Sequence, residues 1–450
     1  MAQRDVRLSP QCWHGVTDGL KMRILVVSCV FPPEPVTSAS TSHAIACELA
    51  KRGHHVTALT SYPSRPGGRL LPGFRRRLFE RFQTENGFTV IRCFSTTSHT
   101  PTLLSRLAEN LSFGICSGLV LALIHRPDVI YANTWPIFAA GIATIVAKMR
   151  GIPIVVSVQD IYPESLVSLK KIKSDSFIAR VLKSFDCFVA RMAAALVVIS
   201  ERAEKIYSYD RRVTRERIHR IANWRTQMEQ PTGEMSRQQR INREITTDMF
   251  LFVFAGSVVP ACGLDVVISA ASKLKDDPTA KFIIAGSGSD LERCTEIAKG
   301  LDSENVDFIG PFLERQTLGI LSMADVLVLP TQGDQSLVSM PSKLIAYMMA
   351  ARPILSVACP ESDLANVIST SGCGWVAKPN DAKGLAELLR KIRYLDRAEL
   401  ERMGKAGREY ALAHFSTEAC LPKLIEVIEN AGTHNRIFSD QNTESERIRT

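Results

Sequence analysis

From residue 21 onward the sequence repeats one unit: a short apolar run rich in β-branched residues, a turn, and a stretch with helical periodicity. Continuous apolar runs are typical of strands covered on both faces, and strands that alternate with helices build parallel sheets. The runs are MRILVVSC, HVTALTS, FTVIRCF, DVIYAN, PIVVSVQD, ALVVIS and RIHRIAN, followed by MFLFVFAG, AKFIIAG, NVDFIG, ADVLVLP, RPILSVA and GWVAK. The pattern predicts an α/β fold with two doubly wound, Rossmann-like domains.

The length of the chain agrees with two domains. Its 450 residues exceed the roughly 250–300 at which one hydrophobic core stops growing. A polar stretch without hydrophobic periodicity separates the two series of runs and is interpreted as a linker with a short helix. We predict an N-terminal extension over residues 1–21, a first domain over 22–225, a linker over 226–248, a second domain over 249–430 and a disordered polar tail over 431–450.

Two such domains in tandem place the carboxyl ends of both sheets around a shared cleft, where ligands of doubly wound sheets bind. In the first half, the small residues Ser38 and Thr41 lie just ahead of or within a predicted helix and would let backbone N–H groups approach a phosphate or a sugar hydroxyl. Asp160 and Glu164 follow the fifth run, where a carboxylate would orient a hydroxyl or accept a proton. The alternatives are an ordinary helix cap and surface carboxylates.

In the second half, Gly286 and Gly288 lie between a strand and a helix, a pattern that also fits a simple tight turn. Further along, Pro341, Ser342 and Lys343 open a predicted helix after the run ADVLVLP. A lysine in the first turn opposes the helix dipole, so it does not help the helix itself. An anionic ligand, above all a nucleoside diphosphate, explains this lysine better.

The motifs also carry a resemblance in their order and spacing. They are ILVVSCVFPPE, ELAKRGHHVTALTSYPSRPGG, VQDIYPESL, VVISE, IHRIANW, FAGSV, GLDVVISAA, IIAGSGSD, MADVLVLP and PSKLIAYMMAARPIL. Over residues 22–430 the chain resembles the family 4 retaining glycosyltransferases of GT-B fold, in particular the bacterial branch that makes O-antigen and capsule polysaccharides, such as the fucosamine transferases.

The resemblance implies that the second domain binds a nucleoside-diphosphate sugar, that the first binds a lipid-linked glycan acceptor, and that neither a metal nor a further cofactor is needed. Asp160 and Lys343 would be the catalytic residues. The donor-binding residues would be Gly256, Ser257, Gly286, Gly288, Pro341, Ser342, Lys343 and Ala346. The acceptor-binding residues would be Ser38, Thr41 and Glu164.

Several positions depart from the family pattern. Ala346 stands where members carry a glutamate that holds the ribose hydroxyls, and Ser257 and Cys262 stand where many carry an arginine and a lysine on the diphosphate. Gln159 replaces the arginine of an Arg-Asp pair, and Ala351 replaces a glycine. Two alternative functions therefore stay open: a catalytically inactive subunit that regulates an active partner, and a non-hydrolysing sugar epimerase of the same fold.

The charge and the cysteine content limit the classes of ligand that the protein is expected to bind. The formal charge of +9 indicates attraction to anions, but no basic, aromatic-studded strand supports nucleic acid. The eleven cysteines are scattered without a CxxC pair or a metal-ligand spacing, so reduced thiols and no metal site are expected.

Three segments of the sequence predict where in the cell the protein is located. The first twenty-one residues lack the apolar core of a signal peptide, so a cytoplasmic protein is expected. Residues 73–81, GFRRRLFER, and the apolar residues 111–125 predict peripheral docking on the anionic inner face of the cell membrane. The alternative is a solvated loop beside a core helix.

Overall fold

Two separate β-sheets organise the protein in a computed structural model, which describes residues 21–65, 67–98, 102–134 and 137–447. The predicted N-terminal extension lies outside these ranges, apart from residue 21. Each sheet is covered by helices, which confirms the prediction of two doubly wound α/β domains.

The first sheet has eight strands in the order β3-β4-β2-β1-β5-β6-β7-β8. They are β1 (Arg23–Val27), β2 (His55–Ser61), β3 (Phe79–Gln83), β4 (Thr89–Cys93), β5 (Val129–Asn133), β6 (Ile154–Val158), β7 (Ala195–Val198) and β8 (Ile218–Arg220). Neighbours pair in parallel except β3, which pairs antiparallel with β4. The helices are α1 (Thr37–Lys51), α2 (Leu103–Leu123), α3 (Ile137–Met149), α4 (Glu164–Ser168), α5 (Phe177–Met192) and α6 (Glu201–Lys205).

Strand β1 shows why these runs are continuously apolar. Leu25 and Val27 face one core of the first domain, and Ile24 and Val26 face the other. Successive side chains of a strand point to opposite faces, so a strand covered on both sides needs apolar residues at every position.

Strand β3 was not predicted, and it lies partly in residues 73–81, the segment for which we predict membrane docking. Its sequence FERFQ is largely exposed, and it forms an edge of the sheet. An exposed edge strand needs no apolar run, so hydrophobic patterning does not reveal it.

The second sheet has six parallel strands in the order β11-β10-β9-β12-β13-β14. They are β9 (Phe250–Ala255), β10 (Ala280–Ala285), β11 (Val306–Ile309), β12 (Val326–Pro330), β13 (Ile354–Val357) and β14 (Gly374–Ala377). The linker holds one short helix, α7 (Gly233–Ile241), and the others are α8 (Leu264–Ala271), α9 (Leu291–Gly300), α10 (Thr317–Ser322), α11 (Lys343–Met349), α12 (Asp363–Ser371), α13 (Ala382–Arg393), α14 (Arg397–Phe415) and α15 (Thr417–Arg447).

Helix α15 corrects the predicted end of the second domain. Leu421, Leu424 and Ile428 are buried in the same core as Ile24 and Val26, so this helix returns to cover the first sheet. The Nε2–H of His54 donates to Glu429 of α15 at 2.9 Å, because the Nδ1 of His54 accepts from the backbone N–H of Met22. The apolar stripe of α15 indicates a buried face, but only the fold shows which domain buries it.

Residues 431–447, which we predict as a disordered tail, continue α15 in the structure. Beyond Gly432 this stretch contains neither proline nor glycine, so nothing in it breaks the helix.

The chain crosses between the domains twice, and the two crossings run side by side. The backbone N–H of Arg225 donates to the carbonyl of Phe415 at 3.0 Å, and Arg225 forms a parallel bridge with Ser416. The junction is therefore built from two paired backbone segments.

Candidate active site

A cavity of about 810 Å³ opens between the two domains, and we call it the interdomain cavity. The first domain contributes the start of α1, the second contributes the loops after β9, β10 and β11 and the start of α11, and residues 224–228 form part of the wall. A second cavity of about 230 Å³ adjoins it and shares Thr41, Trp224, Arg225 and Ser342 with it. Both lie at the carboxyl ends of the strands, as the fold predicts.

Most of the predicted site residues come together here. Those lining the interdomain cavity are Thr41, Gly256, Ser257, Gly286, Ser342, Lys343 and Ala346. Ser38 lines the second cavity with Gln159, and Pro341 lines a small adjoining pocket. Asp160, Glu164 and Gly288 line neither the interdomain cavity nor the second cavity. Ligand binding by these residues stays a prediction.

Lys343 begins α11, two residues later than predicted, after a turn in which the N–H of Leu344 donates to the carbonyl of Pro341. Its Nζ lies 3.7 Å from the Sγ of Cys262 and 5.2 Å from the ring centroid of Phe254. Within the described ranges no carboxylate forms an ion pair with this ammonium group. Because no carboxylate pairs with it, this ammonium group can form a charge-assisted hydrogen bond with an anionic ligand in the cleft.

Gly256 makes room for this lysine. A Cβ at Gly256 would lie 2.3 Å from the Cε of Lys343, so any other residue here would displace the lysine stem, and the φ of +141° also favours glycine. The N–H of Gly256 donates to the carbonyl of Ala285 and is not free for a ligand.

Gly286 serves the close approach of two loops. A Cβ there would lie 1.9 Å from the carbonyl oxygen of Gly256, and φ is +146°. Its N–H donates to the carbonyl of Ile309. Gly288 likewise packs against the carbonyl of Val258, where a Cβ would lie 2.0 Å away. The glycines therefore allow tight packing of the cavity wall, and Gly288 is not part of its surface.

Ala346 is buried on the first turns of α11 and lines the interdomain cavity. The next residue, Tyr347, fixes this helix to β9: its hydroxyl donates to the carbonyl of Ala255 at 3.0 Å and accepts from the N–H of Ala255 at 2.7 Å. The position of Ala346 is thereby held, and the cavity wall carries a methyl group there.

Asp160 lies on the loop after β6 and is half-buried. Burial raises the pKa of its carboxyl, and none of the hydrogen bonds or ion pairs found among the described residues involves that group. A catalytic role for Asp160 stays a prediction, because its loop is at the carboxyl edge of the sheet but outside both cavity walls.

Glu164 is engaged in an ion pair with Arg211, and its predicted contact with the acceptor stays a prediction. A terminal nitrogen of Arg211 donates to both of its carboxylate oxygens, at 2.8 and 2.7 Å. Arg211 is fully buried and also donates through Nε to Asp186 at 2.9 Å. The hydroxyl of Tyr207 donates to the other oxygen of Asp186 at 2.7 Å. We call these four residues the buried charge network.

Sequence patterns missed two charged residues of the interdomain cavity, Arg225 and Glu314. They form an ion pair of 3.0 Å between a terminal nitrogen of Arg225 and an oxygen of Glu314. Arg225 directly follows the motif IHRIANW. Its position after the last strand of the first series is the one sequence feature that could have indicated a site residue.

Two family descriptions match the chain. "Glycosyl transferase 4-like domain" matches residues 37–224, and "Glycosyl transferases group 1" matches residues 250–393. Among curated relatives, the probable glycosyltransferase WbjE of Pseudomonas aeruginosa is 26% identical over 337 residues, which cover 74% of this chain and 83% of WbjE. The putative colanic acid biosynthesis glycosyl transferase WcaI of Escherichia coli K12 is 24% identical over 90% of this chain and 100% of WcaI.

Solved structures share the fold at low identity. Sucrose-phosphate synthase from Thermosynechococcus elongatus has a TM-score of 0.71 at 16% identity. The match covers 93% of this chain and 100% of the synthase chain. WaaG, a glycosyltransferase involved in lipopolysaccharide biosynthesis, has a TM-score of 0.65 at 18% identity over 90% of this chain and 99% of its own. HepE of Anabaena, solved with UDP-glucose, has a TM-score of 0.65 at 14% identity. The match covers 91% of this chain and 100% of HepE.

Proposed function

Since the chain belongs to the glycosyltransferases that join a 4-like domain to a group 1 domain, we propose that it transfers a sugar from a nucleoside-diphosphate sugar to a lipid-linked glycan in bacterial surface polysaccharide synthesis. The observation that carries the donor class is Lys343, a cation without a carboxylate partner among the described residues, in the wall of the interdomain cavity. The names of WcaI and WaaG support the biosynthetic role, and the ligand of HepE supports the donor class.

In the proposed reaction the bond between the anomeric carbon and the diphosphate breaks, and a bond forms to the oxygen of an acceptor hydroxyl with retention of configuration. The hydroxyl proton leaves with the departing diphosphate. The main requirement is stabilisation of the negative charge that develops on the departing diphosphate, which preorganised donors supply best in a cleft shielded from water. Lys343 takes this role. Ser38 and Thr41 contact the acceptor, and Asp160 orients its hydroxyl.

Binding and turnover test the proposal separately. A thermal-shift panel of nucleoside diphosphates and their sugars is expected to stabilise the protein, by about 2.7 kcal/mol at a ligand concentration 100 times Kd. Release of the nucleoside diphosphate from a sugar donor in the presence of a membrane acceptor fraction reports transfer. Binding without release from any donor would instead favour the inactive regulatory subunit, which the missing carboxylate at Ala346 motivates.

We expect Ala346→Glu to tighten nucleotide binding. The side chain at this position enters the interdomain cavity from a helix held by Tyr347, and a carboxylate there would accept hydrogen bonds from the ribose hydroxyls. A charge-assisted bond contributes about 1.5–3 kcal/mol. Isothermal calorimetry with a nucleoside diphosphate measures the change, and Ala346→Gln, of the same size without charge, is the control. Weaker binding of the glutamate variant would show that the ribose lies elsewhere.

The proposed membrane surface lies on the first domain. Helix α2 exposes a stripe of leucine and isoleucine side chains from Leu104, 78% exposed, to Leu123, 86% exposed. The full stripe is Leu104, Leu107, Leu111, Ile115, Leu119 and Leu123. Its opposite face is buried through Phe113, Cys116 and Leu121. Within the described ranges α2 is the one helix long and apolar enough to cross a membrane, a property shared by many core helices of soluble proteins.

Basic residues accompany this stripe. The thiol of Cys116 donates to the carbonyl of Leu78 at 3.1 Å, which places the arginine-rich segment beside α2. Arg75, Arg76, Arg77 and Arg81 of that segment are exposed. Each basic residue near an anionic surface contributes about 1 kcal/mol to the free energy of membrane binding. The apolar stripe and the arginines together therefore favour reversible attachment to the membrane that carries the acceptor.

Sedimentation with vesicles tests this attachment. We expect the protein to pellet with vesicles that contain anionic lipid and to stay in solution with neutral ones at low salt. Replacing Arg75, Arg76 and Arg77 by glutamine is expected to reduce the bound fraction by tenfold or more. A triple replacement of exposed basic residues on the second domain, Lys378, Lys383 and Lys405, is the control. Equal loss in both triple variants would contradict the assigned surface.

A further inference from the structure

The ion pair between Arg225 and Glu314 stands in the wall of the interdomain cavity and is not explained by the fold. Glu314 is 78% exposed at its side chain, and Arg225 is 27% exposed. A pair this exposed adds little to stability. Among the described residues that line the interdomain cavity, Glu314 is the one acidic residue, and Arg225 and Lys343 are the two cations.

The order of the strands shows which end of a nucleotide this pair would meet. The side chain of Lys343 lies against the loop after β9, with its Nζ 3.7 Å from Cys262, whereas Glu314 follows β11 at the edge of the same sheet. Only β10 lies between β9 and β11, and neighbouring strands are about 4.8 Å apart, so the loops after β9 and β11 are separated by roughly 10 Å. A nucleoside diphosphate whose phosphates contact Lys343 and whose nucleoside extends toward β11 would place its base near Arg225 and Glu314.

The hydrogen-bonding capacity of the pair is specific. An ionised carboxylate only accepts and a guanidinium only donates. One terminal nitrogen of Arg225 donates to Glu314, and the other N–H groups of the guanidinium can donate to a ligand. The Watson–Crick edge of guanine offers two adjacent N–H donors, at N1 and N2, next to the acceptor O6. Uracil has one N–H between two carbonyl oxygens, and adenine has a ring nitrogen that would repel the carboxylate.

On these grounds, and resting on the proposed nucleoside-diphosphate donor, we infer that the Arg225–Glu314 pair recognises a guanine base and that the donor is a GDP-sugar. Glu314 accepts from N1–H and N2–H, and Arg225 donates to O6. Arg225 is fixed for this role because its backbone pairs with Phe415 and Ser416 at the crossing between the domains.

Calorimetry with four nucleoside diphosphates tests the inference on the full chain. We expect GDP to bind at least tenfold tighter than UDP and ADP, because a site built for hydrogen bonds rejects ligands that leave its groups unpaired. Inosine diphosphate, which lacks the N2 amino group, is expected to lie between GDP and UDP. Glu314→Gln is expected to bring GDP down to the affinity of UDP, whereas Glu304→Gln, an exposed glutamate before β11, leaves it unchanged.

Other outcomes separate the two proposals. If UDP or ADP binds the wild type as tightly as GDP, or if Glu314→Gln preserves the preference for GDP, the inference about guanine is overturned and the nucleotide donor stands. If the wild type binds none of the four diphosphates, the proposed donor class itself fails and the base assignment falls with it.

Discussion

Replacement of Lys343 by alanine is expected to weaken nucleoside-diphosphate binding by about 1.5–3 kcal/mol, or roughly ten- to a hundredfold in Kd. The ammonium group lies in the interdomain cavity near Cys262 and Phe254 and forms no ion pair with any carboxylate in the described part of the chain. Its charge also opposes the dipole of α11, so the substitution removes nothing that the helix needs. Calorimetry on the purified variant measures the loss.

The matched control is Lys383→Ala. Lys383 also lies in the first turn of a helix, α13, but it is exposed and lines neither cavity. We expect the wild-type affinity for this variant and unchanged unfolding temperatures for both. Equal affinities of Lys343→Ala and the wild type would remove the main support for the proposed donor site.

Replacement of Arg211 by methionine is expected to destabilise the first domain by about 3–5 kcal/mol, because it leaves buried carboxylates without their cation. Arg211 is fully buried and bonds to Asp186, to Glu164 and, at 2.9 Å, to the carbonyl of Tyr162. Even with these bonds, burial raises the pKa of Asp186 to about 6. Its carboxylate is therefore strongly dependent on its hydrogen-bond partners.

Thermal unfolding of the full chain measures this effect. For a domain of this size, 3–5 kcal/mol corresponds to a decrease of roughly 6–20 °C in the transition of the first domain. The neighbouring Arg212→Met is the control, since Arg212 is exposed. A similar decrease in both variants would show that the buried charge network does not stabilise the domain.

The strands buried on both faces could be predicted from the sequence, because their apolar runs are continuous. Strand β3 could not, since its polar residues face solvent at an edge. The stripe of Leu421, Leu424 and Ile428 predicts a buried helical face, but no local pattern shows that α15 packs against β5 and β6 of the other domain. Such contacts join residues more than 250 positions apart, beyond the reach of periodicity.

The candidate site divides in the same way. Lys343 and Ala346 were found because a helix start after a strand has a recognisable pattern, and both line the interdomain cavity. The ion pair of Glu164 with Arg211 could not be predicted, because the two residues are 47 positions apart. Arg225 and Glu314 were missed because Arg225 follows the last strand of the first domain and Glu314 begins a short turn, and only the assembled cleft brings them together.

The return of α15 has a consequence for how the protein is made. The first domain leaves the ribosome early, yet Leu421, Leu424 and Ile428, which close one of its cores, are synthesised only after the whole second domain. Until then one face of its sheet is covered only in part, by α1, and exposed apolar surface of this kind makes nascent chains prone to aggregation. A stop codon after Ser416 would therefore leave the first domain incomplete, although it removes only the final helix.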